Sequence, residues 1–128
     1  MTQIVLVFGS LFGGLAVIFG AFGAHALKKF LSDDQLKSFE TGVKYQMYHA
    51  LVLLMIGFYF DLNTPLEKFM VYCFIAGILL FSFSIYGLVI SSAKNRKLTF
   101  LGPITPLGGL LLIIGWSLLL VAILNMEN

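Results

Sequence analysis

The stretch SDDQLKSFETGVKYQMYHALVLLMIGFYF, residues 32–60, changes character half-way along its length. In its first half Leu36, Phe39, Val43 and Gln46 recur at three- and four-residue spacing, while Asp33, Asp34, Lys37, Glu40 and Lys44 fill the other face. That is the pattern of a helix lying at a surface. From Tyr45 onward the charged face disappears, and Met47 to Phe60 is apolar apart from Tyr48 and His49. The same helix therefore passes into hydrocarbon, with the cluster Tyr45, Gln46, Tyr48 and His49 where it does so. Ser32 and Gln35 stand at capping-box spacing, and Asp33 and Asp34 suit the positive end of a helix dipole, so the helix is expected to start at Asp33.

Working outward, the chain of 128 residues has room for one domain, 1–128. With 59% hydrophobic and 11% charged residues, and a mean hydropathy of +0.99, it has the composition of an integral membrane protein. Residues 4–27 carry no charge and reach about 36 Å as a helix, enough to cross a bilayer with some tilt. Ala24-His25-Ala26 imitates a signal-peptide cleavage site, but no basic residue precedes the apolar run and the run is too long, so it is read as an uncleaved span. The second span covers 43–60 and ends at the turn residues Asp61, Asn63, Thr64 and Pro65. The third covers 66–90. The fourth covers 106–124, with Thr105 as its cap and Pro106 in its first turn. The expected fold is an all-α integral membrane protein, a four-transmembrane-helix bundle with an amphipathic cytoplasmic segment leading into helix two.

Orientation follows from charge. Lys28, Lys29, Lys37 and Lys44 lie in the first connection, Lys94, Arg96 and Lys97 in the third, and Lys68 alone near the second. The positive-inside rule makes the first side cytoplasmic and places both termini and the 61–65 turn outside, in a multi-pass protein of the inner (plasma) membrane. A net charge of +2, without a basic face, excludes nucleic acid as a partner. Cys73 is the single cysteine, so there is no internal disulfide and no second thiol for a metal or redox motif.

Lipid gives helices no hydrophobic reason to associate, so close packing has to come from small residues. Gly13 and Gly20 on helix one, Gly77 on helix three, and Gly108 and Gly115 on helix four are the expected packing positions. Helix two instead turns Gly42, Gln46, His49, Leu53 and Gly57 inward. The cytoplasmic half should therefore be held by hydrogen bonds and the outer half by apolar contact. Small residues on more than one face leave surface for a homo-oligomer.

His25 ends helix one, and His49 is read as one turn inside helix two, so the two are expected at similar depth. With Tyr45, Gln46 and Tyr48 they form a candidate ligand-binding group for a headgroup or small molecule. The plainer alternative is a pair of interfacial histidines bonded to a tyrosine, to Gln46 or to a carbonyl. No carboxylate at helical spacing completes a metal site, and neither a catalytic residue nor a cofactor is assigned. Tyr45, Tyr48, Tyr59 and Tyr86 fit an interfacial aromatic belt, and Trp116 a packing role. Ser82, Ser84 and Ser117 are expected to bond a carbonyl one turn back or across a helix pair. Glu40 and Asp34 sit on a solvated face, and no nucleophile motif accompanies them, so no enzyme is expected.

Gly20-Ala21-Phe22-Gly23-Ala24-His25-Ala26-Leu27, then Phe39-Glu40-Thr41-Gly42-Val43-Lys44-Tyr45-Gln46-Met47-Tyr48-His49-Ala50-Leu51, resemble the two signatures of a family of small bacterial membrane proteins, domain-of-unknown-function family four-two-three, which has short eukaryotic transmembrane relatives. Leu80 to Tyr86, Thr105 to Gly109 and Gly115-Trp116 are similar to its later motifs, with Phe83 in place of a small residue and Gly42 in place of alanine. The resemblance implies a four-span inner-membrane protein and supplies no reaction. The functional expectation is a non-enzymatic bundle that binds membrane lipids or a membrane partner of unknown identity. The alternative is a transporter-like protein that binds a small molecule or ion in the polar pocket between helices one and two.

Overall fold

In the computed structural model, which describes residues 1–127, four long helices follow one another and there is no strand among the described residues. Asn128, the last residue of the expected domain, lies outside them. The first helix is Thr2–Leu27, the second Asp33–Tyr59, the third Pro65–Ala93 and the fourth Ile104–Met126. The first, the third, and the fourth with the short turn before it are long and apolar enough to cross a membrane. The second has the length, but its polar residues keep it from matching them in hydropathy.

The second helix starts where its capping box sets it: Ser32 Oγ accepts from the Gln35 N–H at 3.2 Å, and Gln35 Oε1 accepts from the Ser32 N–H at 2.9 Å. The third helix uses the same device with Thr64 and Glu67, and Pro65 occupies its first turn. That box was not read from the sequence. The turn before it contains Leu62 at φ 55, a left-handed conformation costly for leucine, and the buried Leu62 side chain holds it there. The fourth helix begins earlier than expected, at Ile104. Thr105 is then the second residue of the helix rather than its cap, and its hydroxyl pairs with Ser84 at 2.6 Å.

Two helices contain a wide turn in which the backbone bonds reach five residues back rather than four: Ile18–Gly23 in the first and Leu79–Phe83 in the third. Rings from these two turns meet, with the Phe19 and Phe83 centroids 6.4 Å apart. Phe83 also faces Phe12 and Tyr86, so an aromatic cluster accommodates it where the sequence resemblance called for a small residue.

The first helix runs antiparallel to the second. A Cβ on Gly9 would meet Leu54 and Ala50, one on Gly57 would meet Leu6, and one on Gly20 would meet Val43. The third and fourth pair in the same way, through Gly77 against Leu112 and Gly115 against Phe74. The closest approach is at Gly108, where a Cβ would fall on the backbone of Leu80 and Phe81 inside the wide turn of the third helix. The second and third helices lie between the first and fourth. Gly77, Gly108 and Gly115 thus lie at tight helix contacts. Gly13 does not, since its Cβ would lie 3.8 Å from Ala50, an ordinary contact, and the tight positions on that side are Gly9 and Gly57. Gly20 is intermediate, at 3.1 Å from a Val43 methyl.

The larger apolar core sits toward the 61–65 turn, around Val5, Phe12, Leu53, Ile56, Leu62, Met70 and Phe74. A smaller cluster of Leu31, Phe39, Tyr86 and Val89 lies toward the basic connections.

Replacing Gly108 with alanine forces two backbones apart and should lower stability by about 1–3 kcal/mol, the usual range for overpacking. Gly14→Ala, where nothing lies within 4 Å, should leave stability unchanged. Thermal unfolding of the two variants in detergent checks the contrast.

Candidate functional site

Gln46 is fully buried where the first three helices meet. Its Nε2 donates to the Phe12 carbonyl on the first helix at 2.8 Å, and its Oε1 accepts from the Tyr86 hydroxyl on the third at 2.7 Å. A carbonyl can only accept, so the amide orientation is set by chemistry. One turn earlier Ser82 Oγ donates to the Gly42 carbonyl at 2.7 Å. Gly42 has no room for more, because a Cβ there would meet the Tyr86 ring at 2.7 Å. Tyr86 is therefore a buried member of this network, and the belt role expected for it is wrong. The signal available was its burial-compatible spacing from Ser82 on the same face of the helix.

His49 faces the other way, toward the fourth helix. Its Nε2 lies 3.0 Å from the Trp116 indole nitrogen, and its Nδ1 lies 2.6 Å from the Tyr45 carbonyl. An indole N–H can only donate and a carbonyl can only accept. His49 is thus the neutral tautomer with its proton on Nδ1, and both ring nitrogens are used. The Tyr45 ring stacks along the imidazole at an interplanar angle of 15°, and Phe74 and Trp116 complete an aromatic enclosure.

His25 is not part of this group. It is exposed, beyond Gly23, which faces Phe39 on the second helix, whereas His49 adjoins Ala50, which faces Gly13. From Phe39 to His49 a helix rises about 15 Å. The expectation of two histidines at one depth fails because the second helix is unbroken from Asp33, so its first three turns run beside the end of the first helix and carry His49 far past it. The transverse bonds of Gln46, Ser82 and Tyr86, and the pair Ser84 and Thr105, lie toward the basic connections. Ser84 and Ser117 also bond carbonyls of the preceding turn, at Phe81 and Ile113.

Between the second and fourth helices the surface opens into a groove of about 1010 Å³, lined by Tyr45, Tyr48, Val52, Met55, Leu110 and Ile113, with His49 and Phe81 at its floor. A second cavity of about 620 Å³ continues it past Trp116 to Tyr59 and Ile123, and Val52, Met55 and Trp116 line both. Sequence reasoning missed the groove, since it depends on how far two helices diverge. Among the described residues no group of three or more His, Cys, Asp or Glu is arranged to hold a metal. No buried side-chain nitrogen or oxygen there lacks a partner.

Residues 19–109 match the model of a family described as "Protein of unknown function (DUF423)". The chain is 41% identical over 120 residues to a UPF0382 membrane protein of Staphylococcus aureus (strain bovine RF122 / ET3-1), covering 94% of each chain. It is 38% identical over 122 residues to the UPF0382 membrane protein YwdK of Bacillus subtilis (strain 168), covering 94% of this chain and 95% of that one. A UPF0382 membrane protein of Staphylococcus epidermidis (strain ATCC 12228 / FDA PCI 1200) is similar at 38% over 123 residues, 96% of this chain and 97% of the relative. No solved structure matches.

Gln46→Leu should cost about 1–3 kcal/mol, because it strands the Tyr86 hydroxyl and a carbonyl bond together. Adding Tyr86→Phe should then cost less than it does in the wild type. A double-mutant cycle by thermal unfolding measures that coupling, which should be zero if the two side chains act independently.

Proposed function

Since the chain belongs to the DUF423 family of membrane proteins of unknown function, kinship brings no reaction with it, and we propose that it is a non-enzymatic four-span protein of the inner membrane that binds lipid along the groove between its second and fourth helices. The observation that carries this reading is the groove itself: apolar, open sideways, and following the second helix from Tyr45 to Tyr59, a rise of about 21 Å. That length exceeds one leaflet of a hydrocarbon core roughly 30 Å thick, which suits an extended acyl chain.

In this reading the second helix is the fourth span. Its 27 residues are sufficient, and its polar side chains are turned to its neighbours: Gln46 to the first and third helices, His49 to the fourth. Its exposed charges Asp33, Asp34, Lys37 and Glu40 remain in water as a cytoplasmic amphipathic segment, and Lys44 extends toward the interface. The two basic connections then lie on the cytoplasmic side. Each presents an exposed phenylalanine beside its charges, Phe30 after Lys28 and Lys29, and Phe100 after Arg96 and Lys97. Such pairs suit an anionic headgroup layer, where each basic residue contributes about 1 kcal/mol.

Two measurements test the proposal. A cysteine at Asn63, with Cys73 replaced by alanine, should react with a membrane-impermeant maleimide from outside intact cells; labelling from the cytoplasm alone would reverse the orientation. Ile113→Trp, which fills the groove from an exposed position, should at least halve the phospholipid retained through detergent purification, measured by native mass spectrometry, with the melting temperature kept. Unchanged retention would remove the groove as the binding site.

A further inference from the structure

Tyr45 and Tyr48, 42% and 54% exposed, line the groove, and neither hydroxyl has a hydrogen-bond partner in the protein. Every other polar group at this end is occupied: His49 on both nitrogens, the Trp116 N–H on His49, and Gln46 on the opposite side of its helix. In the four-span reading the second helix rises about 15 Å between His49 and Tyr59, half the thickness of the hydrocarbon core, so Tyr48 lies on the hydrocarbon side of the cytoplasmic interface. There an unbonded hydroxyl is costly. The two phenols therefore offer O–H donors to whatever fills the groove.

No lysine or arginine lines this cavity, and it lies deeper than phosphate headgroups, so the occupant of its aromatic end is uncharged. Aromatic rings dominate its walls: the Tyr45 ring lies 4.9 Å from Phe81 at 50° and is parallel to His49 within 15°, and the indole of Trp116 stands at 74° to the imidazole. Aromatic faces of this kind favour a planar ring. Beyond Trp116 the groove continues as a largely apolar channel past Met55, Leu119 and Ile123, with Tyr59 and Glu127 at its far end. We propose that this end of the groove binds a lipid-soluble quinone, its ring against Tyr45, Tyr48 and Trp116, a ring carbonyl accepting from the tyrosine hydroxyls, and its isoprenoid tail in the channel. The proposal concerns binding alone, and it rests on the lipid-groove reading above, to which it adds a ligand class.

Trp116 is the single tryptophan of the chain and lines the site, so its emission reports occupancy. The full chain in phospholipid nanodiscs, titrated with menaquinone-4, should show quenching that saturates at one equivalent above the linear collisional background. The Tyr45→Phe, Tyr48→Phe double variant should raise the midpoint about tenfold, as loss of two hydrogen bonds implies, with the unliganded melting temperature unchanged. Tyr48→Phe alone, at an exposed position, should give a smaller shift in the same direction, and it carries the test if the double variant does not fold. Quenching that never saturates, or a midpoint indifferent to both variants, overturns the proposal. Native mass spectrometry of the same preparation separates the two readings: retained phospholipid without quinone binding sinks the quinone and leaves the lipid groove standing, and retention of neither removes both.

Discussion

The amide of Gln46 is the interaction on which the rest of the arrangement depends. It is one side chain held from two directions, by a backbone carbonyl of the first helix and a phenol of the third, and it is fully enclosed. Where apolar surface gains nothing by leaving lipid, a directional bond of this kind favours one rotation and one depth for the three helices it joins. Its surroundings are built to allow it. Gly42 leaves the space that the Tyr86 ring takes, and Ser82 satisfies the Gly42 carbonyl beside it. Toward the 61–65 turn the same helices need no polar contact, because Gly9 and Gly57 let the backbones close on Leu54, Ala50 and Leu6.

The polar features of the second helix were legible because they interrupt an otherwise apolar stretch. Gln46 and His49 could not both face lipid, so an inward polar face followed from spacing alone, as did the capping box at Ser32. What could not be read was relative height. Placing His49 beside His25 assumed that the helix entered the membrane where its charges stop. Helix register is set instead by packing, and Phe39 and Gly42, inside the charged segment, are already buried against neighbours. Gly13 and Gly9 illustrate the same limit: both lie on one stripe of the first helix, and only the position of Ala50 and Leu54 decides which of them is indispensable. The groove was invisible for a related reason, since nothing in the sequence sets Leu110, Ile113 and Met55 apart from the other apolar residues of their helices.

The pairing of His49 with Trp116 joins the two halves of the molecule on the side where helix packing is loosest. Because the indole supplies the only kind of group it has, a donor, the imidazole is confined to one tautomer, and its remaining proton is directed at the Tyr45 carbonyl. The histidine thereby loses the capacity to bind a metal or exchange a proton without first releasing Trp116. That pair also stands at the junction of the two cavities, which Trp116 lines together with Val52 and Met55.

The wide turns at Ile18–Gly23 and Leu79–Phe83 carry a consequence for chain length. An added residue in a regular helix advances everything after it by about 100° around the axis, which would carry a whole face off its neighbour. A five-residue loop absorbs the surplus locally, so that Ser84 and Tyr86 keep their bearing while the segment before Leu79 keeps its own. Each of these helices thus keeps the faces of its two ends in phase across the wide turn, and excising one residue from within that turn would leave a regular helix presenting the same faces to its neighbours.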